Sequence, residues 1–341
     1  MTSTHHPPAP ARPPSDDRAS MPAGSRTGDG WFHVVSPRRV GALYLLVVAC
    51  IVFSFTASAT FPTSATVQQV LNTSATSALA ALALVVPLAA GVFDLSIGYV
   101  MSLSGVLVAY LLVHTDWPTW VCVVTALVAA LVVGVVNAVA VVVLGINSLI
   151  ATLATGALLQ AVITAITDDA SITAPQLLGG FADIAQKDIG GYTLPILYAV
   201  LIAVVIWVFL SHTAGGRRTY ATGFNLEAAR LAGARTSRLR FGSLLVSSTI
   251  AGFAGIVVAS NIGAGTPTAG TAYLLPAFAA AFLGATQLTP GRFNAWGTLL
   301  ATVLLQTGII GLSLSGAPTW TQGVFTGIVL LAALAFTVRR N

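Results

Sequence analysis

The sequence predicts an all-α polytopic membrane protein with about ten transmembrane helices. Apolar residues make up 56% of the 341 residues and charged residues only 7%, and the mean hydropathy is +0.88. Apolar runs also recur along the chain, many of them long enough to cross a hydrocarbon core of roughly 30 Å, which takes about 20 helical residues. Because a lipid-exposed backbone must satisfy its own hydrogen bonds, these runs indicate helices rather than a soluble globular fold.

Ten apolar segments are predicted to span the membrane, and polar breaks separate them. The segments are residues 40–60, 75–93, 97–114, 119–144, 148–167, 194–211, 241–260, 273–287, 295–312 and 319–337. The mixed segment 61–74 is interpreted as a short interfacial helix on the outer face. Residues 168–193 are predicted to form a turn-rich extracytoplasmic loop, because they contain two Gly-Gly pairs and no long apolar run.

The positive charges predict the orientation of the chain. With both termini in the cytoplasm, every cluster of arginines falls on the cytoplasmic side, as the positive-inside rule requires. Those arginines are Arg38, Arg39, Arg292, Arg339, Arg340 and the six within residues 212–240. The loop 168–193, which holds four aspartates and the single lysine, falls on the outer side. Adding or removing one span would place some arginines on the wrong side.

The first 37 residues differ in composition from the rest. They are rich in Pro, Ser, Gly and Ala, cannot bury a core, and are predicted to form a disordered cytoplasmic tail, leaving residues 38–341 as the transmembrane domain. The junction also resembles an export signal, because an apolar run follows two arginines and ends in Ala57-Ser58-Ala59. A retained first helix is favoured, since the run is long enough to span and more spans follow.

Several classes of chemistry are excluded by the residues themselves. The only lysine, Lys187, is followed by Asp188, so the chain has no GxxxxGK[ST] phosphate-binding loop. Cys50 and Cys122 lie within apolar runs and predict neither a disulfide nor a metal site. No catalytic residue and no cofactor of this chain are therefore predicted. The formal charge of +5 does not indicate nucleic-acid binding, because the basic residues sit beside membrane spans.

Asp94 is the one ionisable residue within the apolar spans, and such residues are usually functional. Gly91 and Gly98 flank it and favour a break in the helix. Two interpretations remain open: Asp94 and Ser96 face a translocation path, or one of them caps the helix that follows. Uncharged polar residues in the spans suit a neutral polyhydroxylated solute, or equally suit contacts between helices. These candidates are Asn147, Thr152, Thr155, Gln160 and Gln306.

The hydrophilic segment 212–240 contains a predicted two-turn helix. Asn225 is a good N-cap, Glu227 lies near the positive end of the helix dipole, and Gly233 is a natural stop. A helix this short is marginal alone, so we expect it to pack against a partner. The alternative is a solvated basic loop.

Five segments, taken in order, resemble the permease subunits of ribose-type bacterial ABC sugar importers. They are GVFDLSIGYVMSLSG, INSLIATLATGALLQAV, ATGFNLEAARLAG, GAGTPTAGTAYLLPAFAAAFLGATQL and NAWGTLLATVLLQTGIIGLSL. The resemblance runs from about residue 40 to the end of the chain. It implies a type II ABC importer-like permease domain in the bacterial cytoplasmic membrane, which forms a path for a monosaccharide or similar neutral polar solute.

The resemblance also implies partners. A separate ATPase subunit would bind ATP and Mg²⁺, an extracytoplasmic solute-binding protein would deliver the solute, and a second permease copy or paralogue would complete the path within the membrane lipid. The residues it assigns to ATPase docking are Gly223, Asn225, Glu227, Ala228, Ala229 and Gly233. Two other classes remain as alternatives: a secondary carrier or channel that is not coupled to an ATPase, and a membrane scaffold or receptor that transports nothing.

Overall fold

The structure is a computed structural model that describes Thr2 and residues 41–338, with side chains as far as residue 335. The predicted tail, apart from Thr2, and the terminal arginine pairs 38–39 and 339–340 lie outside the described residues. Predictions about them remain predictions.

The described residues form thirteen α-helices and four two-residue strands. The helices are α1 (Gly41–Thr56), α2 (Ser64–Ala89), α3 (Ile97–His114), α4 (Thr119–Ala138), α5 (Ser148–Thr167), α6 (Asp183–Gln186), α7 (Leu194–His212), α8 (Ala214–Phe224), α9 (Leu226–Leu231), α10 (Thr236–Ile262), α11 (Leu274–Ala285), α12 (Ala295–Leu314) and α13 (Trp320–Val338). A π-helical turn, Val139–Val143, extends α4. Short 3-10 turns occupy Pro175–Leu178 and Thr271–Tyr273.

Within the described range, each predicted span corresponds to one apolar helix. Seven helices are long and apolar enough to cross a membrane, namely α2, α3, α4 with its π-helical extension, α5, α7, α10 and α12. Three shorter apolar helices, α1, α11 and α13, occupy the other three predicted spans. The predicted all-α polytopic class is confirmed, while the number of ten membrane crossings and the side of each terminus stay predictions.

The segment 61–74 does not form a separate interfacial helix, and that prediction is wrong. Helix α2 begins at Ser64, where the Thr63 hydroxyl accepts a hydrogen bond from the Thr66 amide at 3.2 Å. The polar residue Asn72 faces protein rather than a membrane surface. Its side chain donates to the Gly191 carbonyl at 3.2 Å and accepts from the Thr193 amide at 3.0 Å. Residues of the predicted outer loop therefore supply the hydrogen-bond partners of Asn72 in the third turn of α2.

The predicted outer loop is built from turns and short strands. Strand β1 (Ile172–Thr173) pairs antiparallel with β4 (Ala264–Gly265), which follows α10. Strand β2 (Asp188–Ile189) pairs with β3 (Tyr192–Thr193) across a two-residue Gly-Gly turn. Both glycines of this turn have positive φ, 68° and 88°, a conformation that glycine adopts without steric cost. The turn-rich character expected of residues 168–193 is confirmed.

The core lies where α2, α3, α10 and α11 pack closely, and small residues make that packing possible. At Gly255 of α10, an added Cβ would overlap the backbone of Met101 in α3. At Gly252, one turn away, it would overlap the Cβ of Ala130 in α4. Apolar attraction is weak between helices surrounded by lipid, so such close backbone approach is a main source of stability there.

Candidate translocation and coupling sites

The first candidate site is the break between α2 and α3, residues 90–96. Gly91 has φ +72° and turns the chain out of α2. Two backbone amides in the break find partners on α5: Phe93 N donates to the Ser148 hydroxyl at 3.2 Å, and Leu95 N donates to the Thr152 hydroxyl at 3.0 Å. The polar start of α5 thus supplies the hydrogen bonds that the broken helix lacks.

Asp94 lies at the centre of this break and is completely buried. Its Oδ1 atom accepts from the Ser96 amide at 3.0 Å and from the Ser96 hydroxyl at 2.6 Å. The Asn137 amide of α4 donates to the same hydroxyl at 2.8 Å. Ser96 occupies the N-cap position of α3, but its hydroxyl does not cap the helix. Of the two predicted capping residues, Ser96 makes no side-chain cap, and Asp94 is the one that accepts a backbone amide, that of Ser96, at the start of α3.

Several buried oxygens around Asp94 have no hydrogen-bond partner among the described residues. They are Oδ2 of Asp94, Oδ1 of Asn137 and the hydroxyl of Ser247. Ser247 of α10 lies beside the carboxylate without making a hydrogen bond of good geometry. Each unpaired buried polar atom costs about 1–3 kcal/mol. A rearrangement of α3, α4 and α10 that gave these atoms hydrogen-bond partners would therefore lower the free energy of the cluster.

The seven candidate path residues do not line one surface of this chain. Asp94, Ser96 and Thr152 meet at the break. Asn147 is exposed and caps α5 by accepting from the Leu149 amide at 2.9 Å. The other three are distributed along the helices: Thr155 donates within α5, Gln160 is half-buried on α5, and Gln306 of α12 donates to Ser77 of α2. Their role in a path stays a prediction.

Asn137 of α4 and Ser247 of α10 complete the Asp94 cluster, Ser248 packs beside Gly134 of α4, and no local sequence signal singles out these residues. Asn137 stands out as an amide in an apolar run, but nothing local indicates its neighbours. Serines occur throughout α10. Only the packing of α4 and α10 against α3 selects these three.

The second candidate site is the segment 212–240, and it contains one more helix than predicted. Helix α8 begins after Thr213, whose hydroxyl accepts from the Gly216 amide at 3.0 Å. The pair Gly215-Gly216 disfavours a helix locally. Packing accounts for Gly216, because a Cβ there would overlap the backbone of Phe209 and Leu210 in α7. The close turn between α7 and α8 needs this glycine.

Helix α9 has the predicted boundaries. Oδ1 of Asn225 accepts from the Ala228 amide at 2.9 Å, which confirms the predicted N-cap. Gly233 has φ +82° just beyond the helix, which confirms the predicted stop. Of the proposed docking residues, only Ala229 is buried, and Glu227 and Ala228 are exposed. No other described residue therefore covers the exposed face of α9.

The two sites touch each other through glycine backbones. A Cβ added to Gly223, at the end of α8, would overlap the Ala89 carbonyl oxygen of α2. A Cβ added to Gly91 would lie 3.1 Å from the Gly223 Cα atom. No side chain separates the exposed helix pair from the buried break. The end of α8 is therefore in direct backbone contact with the break that contains Asp94.

Large apolar side chains project from the helix pair. The side chains of Phe224, Leu226 and Leu231 are 61%, 42% and 86% exposed, respectively. Arginines surround these residues, including Arg230 and Arg235. An exposed apolar patch rimmed by polar residues is typical of an interaction surface.

Comparison with known proteins identifies the family to which the chain belongs. Residues 66–334 match the family described as branched-chain amino acid transport system / permease component. The chain belongs to this permease family. The permease is 32% identical over 259 residues to the ribose import permease protein RbsC of Bacillus subtilis, covering 74% of this chain and 78% of that protein. It is 30% identical over 297 residues to RbsC of Escherichia coli strain K12, covering 85% and 90%.

A further relative is the xylose transport system permease protein XylH of Escherichia coli strain K12, at 33% identity over 171 residues, or 50% of the permease and 43% of XylH. No solved structure matches the permease significantly. The predicted resemblance to ribose-type permeases is confirmed. The permease is a multi-pass protein of the cytoplasmic membrane. Both candidate sites lie within the matched residues 66–334.

Proposed function

We propose that the permease is the membrane subunit of an ATP-binding-cassette importer and forms the path for a monosaccharide or similar neutral polar solute. The names of its relatives, which refer to ribose import and xylose transport, support a pentose-sized sugar as the first solute to test. ATP and Mg²⁺ would bind to a partner ATPase, because the only lysine of this chain lies outside any phosphate-binding motif.

The observation that carries the proposal is the α8–α9 helix pair, which we name the coupling pair. It exposes apolar side chains on one side, and on the other its Gly223 touches the break beside Asp94. A partner that binds Leu231 and moves α8 would shift the Gly91 backbone. The unpaired atoms of the Asp94 cluster could then gain new partners as the surrounding helices rearrange. In this way, ATP hydrolysis in the partner ATPase would open the path of the permease to one side of the membrane and then to the other.

Two further partners follow from the same proposal. A solute-binding protein would dock on the outer loop 168–193, and a second permease copy or paralogue would pack against an exposed apolar face. Half-buried Gln160 lies among exposed apolar residues of α5, which makes α5 a suitable wall for a path between two copies. Amide and hydroxyl groups without charge suit a neutral solute.

The experiment is copurification of the tagged permease with candidate ATPases, followed by ATP-dependent uptake in proteoliposomes. Leu231→Asp places a charge on the most exposed apolar tip of the coupling pair, and Glu227→Lys reverses the charge beside the N-cap. We expect each to lower ATPase association about tenfold, equivalent to about 1.4 kcal/mol. Ile189→Asp is the matched control, because it places the same charge on a 62% exposed apolar residue of the outer loop.

An unchanged complex with both variants would overturn the docking role of the coupling pair. Uptake that persists without any ATPase would instead favour a secondary carrier or channel. Competition by unlabelled ribose, xylose and a charged sugar acid then identifies the solute class, and preferential competition by the acid would contradict a neutral solute.

A further inference from the structure

A second groove lies beside the coupling pair, at the ends of two apolar helices. It has a volume of about 570 Å³ and is bounded by the end of α7, by α8 and by the loop that joins α11 to α12. Arg217 of α8 and Arg292 of the loop both line it, and both side chains are exposed. No acidic residue is among the described residues that line the groove. The groove therefore presents two positive charges and no negative charge.

Tryptophans place this groove at the level of the membrane–water boundary. Trp207 lies in the last two turns of α7, and Trp296 is the second residue of α12. The two rings meet edge to face with their centroids 6.4 Å apart, and each is more than a third exposed. Trp is enriched where membrane helices leave the hydrocarbon core. A ligand bound to the arginines would thus be at headgroup depth, with the indole rings beside its apolar part.

The groove is also held rigid by hydrogen bonds from its own walls. The Tyr220 hydroxyl donates to the Phe293 carbonyl, and the Arg292 guanidinium lies over the Tyr220 ring, 5.4 Å from its centroid. Burial raises the pKa of Tyr220, although Arg292 opposes the rise, so the hydroxyl stays protonated and keeps donating at neutral pH. The Asn294 amide donates to the Gln287 and Arg292 carbonyls of the same loop and to the Gly284 carbonyl at the end of α11. Both arginines are therefore carried on ordered backbone.

We propose that this groove binds the headgroup of an anionic phospholipid. Arg217 and Arg292 would pair with phosphate oxygens, for which planar guanidinium groups are well suited. Trp207 and Trp296 would contact the glycerol and the first acyl carbons. The absence of a carboxylate among the lining residues disfavours choline and ethanolamine headgroups, whose amines would lie near the arginines without a counter-charge.

A lipid in this groove would link the coupling pair to the membrane domain. Arg217 belongs to α8, whereas Arg292 precedes α12, so one phosphate group would bridge the two elements. The residues predicted to dock the ATPase, from Asn225 to Gly233, do not line the groove. Phe224 lines the groove and also belongs to the exposed apolar patch, so the lipid site and the ATPase-docking surface would adjoin each other at the end of α8.

The test uses the full-length permease in nanodiscs that contain phosphatidylcholine with a small fraction of dibrominated phosphatidylglycerol. Bromine quenches nearby tryptophans, so binding at the groove lowers the emission of Trp207 and Trp296. Each arginine is expected to contribute about a fivefold preference for the anionic lipid. Arg217→Gln with Arg292→Gln should then lower that preference about 25-fold. Arg218→Gln is the matched control, because Arg218 is the exposed neighbour on α8 and does not line the groove.

Retention of the wild-type quenching by the double variant would overturn the proposal, provided that circular dichroism shows an intact helical fold. Trp207→Phe with Trp296→Phe should remove the arginine-dependent part of the quenching, because the exposed Trp117, Trp120 and Trp320 lie outside the groove. Arginine-dependent quenching that survives this change would place the lipid elsewhere. Millimolar inorganic phosphate that competes away the lipid would show a soluble-anion site instead. Loss of ATPase copurification in the double variant with unchanged lipid quenching would assign the groove to the ATPase.

Discussion

The α2–α3 break and the coupling pair both interrupt runs of apolar helix, but they satisfy their polar groups in opposite ways. In the break, Ser96 donates to Asp94 and accepts from Asn137 of α4, and all three side chains are completely buried. In the coupling pair, Glu227 and the neighbouring arginines are exposed, and large apolar side chains project outward with them. The buried interruption is organised by contacts within the chain. The exposed one leaves contacts for a partner to make.

The difference shows how one chain can be both firmly folded and responsive. The buried polar cluster contains atoms without partners among the described residues, whereas the short α9 has few buried side chains to hold it in place. The Gly91–Gly223 contact joins the two regions. Substitutions at Gly223, Asp94 and Asn225 test the contact, the buried break and the exposed helix pair, respectively.

Gly223→Val should have the largest effect, because it forces the two regions apart. The added side chain would overlap the Ala89 carbonyl, and overpacking of this kind costs about 1–3 kcal/mol. We expect ATP-dependent uptake to be nearly lost while the bundle still folds, as measured by proteoliposome uptake and thermal unfolding in detergent. The control is Gly316→Asn, at a positive-φ position with open space around it and outside both candidate sites, where Asn is tolerated. Equal loss in both variants would contradict a specific role for the contact.

Asp94→Asn should separate the two interpretations of the buried carboxyl group. The amide oxygen can still accept from the Ser96 amide, so assembly should change little, whereas replacement of the carboxyl group should lower uptake about tenfold, or about 1.4 kcal/mol. Asp94→Ala also removes the acceptor and should destabilise the fold by about 1–3 kcal/mol. If Asp94→Asn reduces assembly as much as uptake, the residue has only a structural role.

Asn225→Ala should have the smallest effect and should be confined to the exposed region. Loss of an N-cap costs about 1 kcal/mol, which is large for the six-residue α9 and small for the membrane bundle. We expect ATPase association to fall about fivefold, with unchanged thermal unfolding of the permease. Asn225→Asp keeps a capping oxygen and should restore association. A lowered unfolding temperature in Asn225→Ala would show that α9 is part of the folded core.

Helix boundaries were predictable where the signal was local. Hydropathy alone placed the apolar segments, and Asn225 with Gly233 placed α9. Prediction failed where packing overrides local preference. The Gly215-Gly216 pair disfavours a helix, yet the crowded turn after α7 requires it within α8. The polar residues around Asn72 suggested a surface helix, yet the outer loop binds them as part of α2.

The residues around Asp94 were likewise predictable only in part. Asp94 was identifiable as a rare carboxylate among apolar residues, but its partners on α4 and α10 were not. Thr152 was selected as a path residue, and its bond to the Leu95 amide shows that it also holds the break in place.

By itself the sequence determined the class of the protein, the position of its apolar helices and the concentration of arginines at one set of helix ends. These properties depend on composition and spacing along the chain, because membrane insertion and orientation depend on the hydropathy and charge of each local segment. Only the tertiary structure decided that the coupling pair touches the Asp94 break, that Asn137 and Ser247 surround the carboxylate, and that Arg217 and Arg292 share one groove. These pairings join residues far apart in the chain, and they arise only when small side chains let distant backbones approach closely.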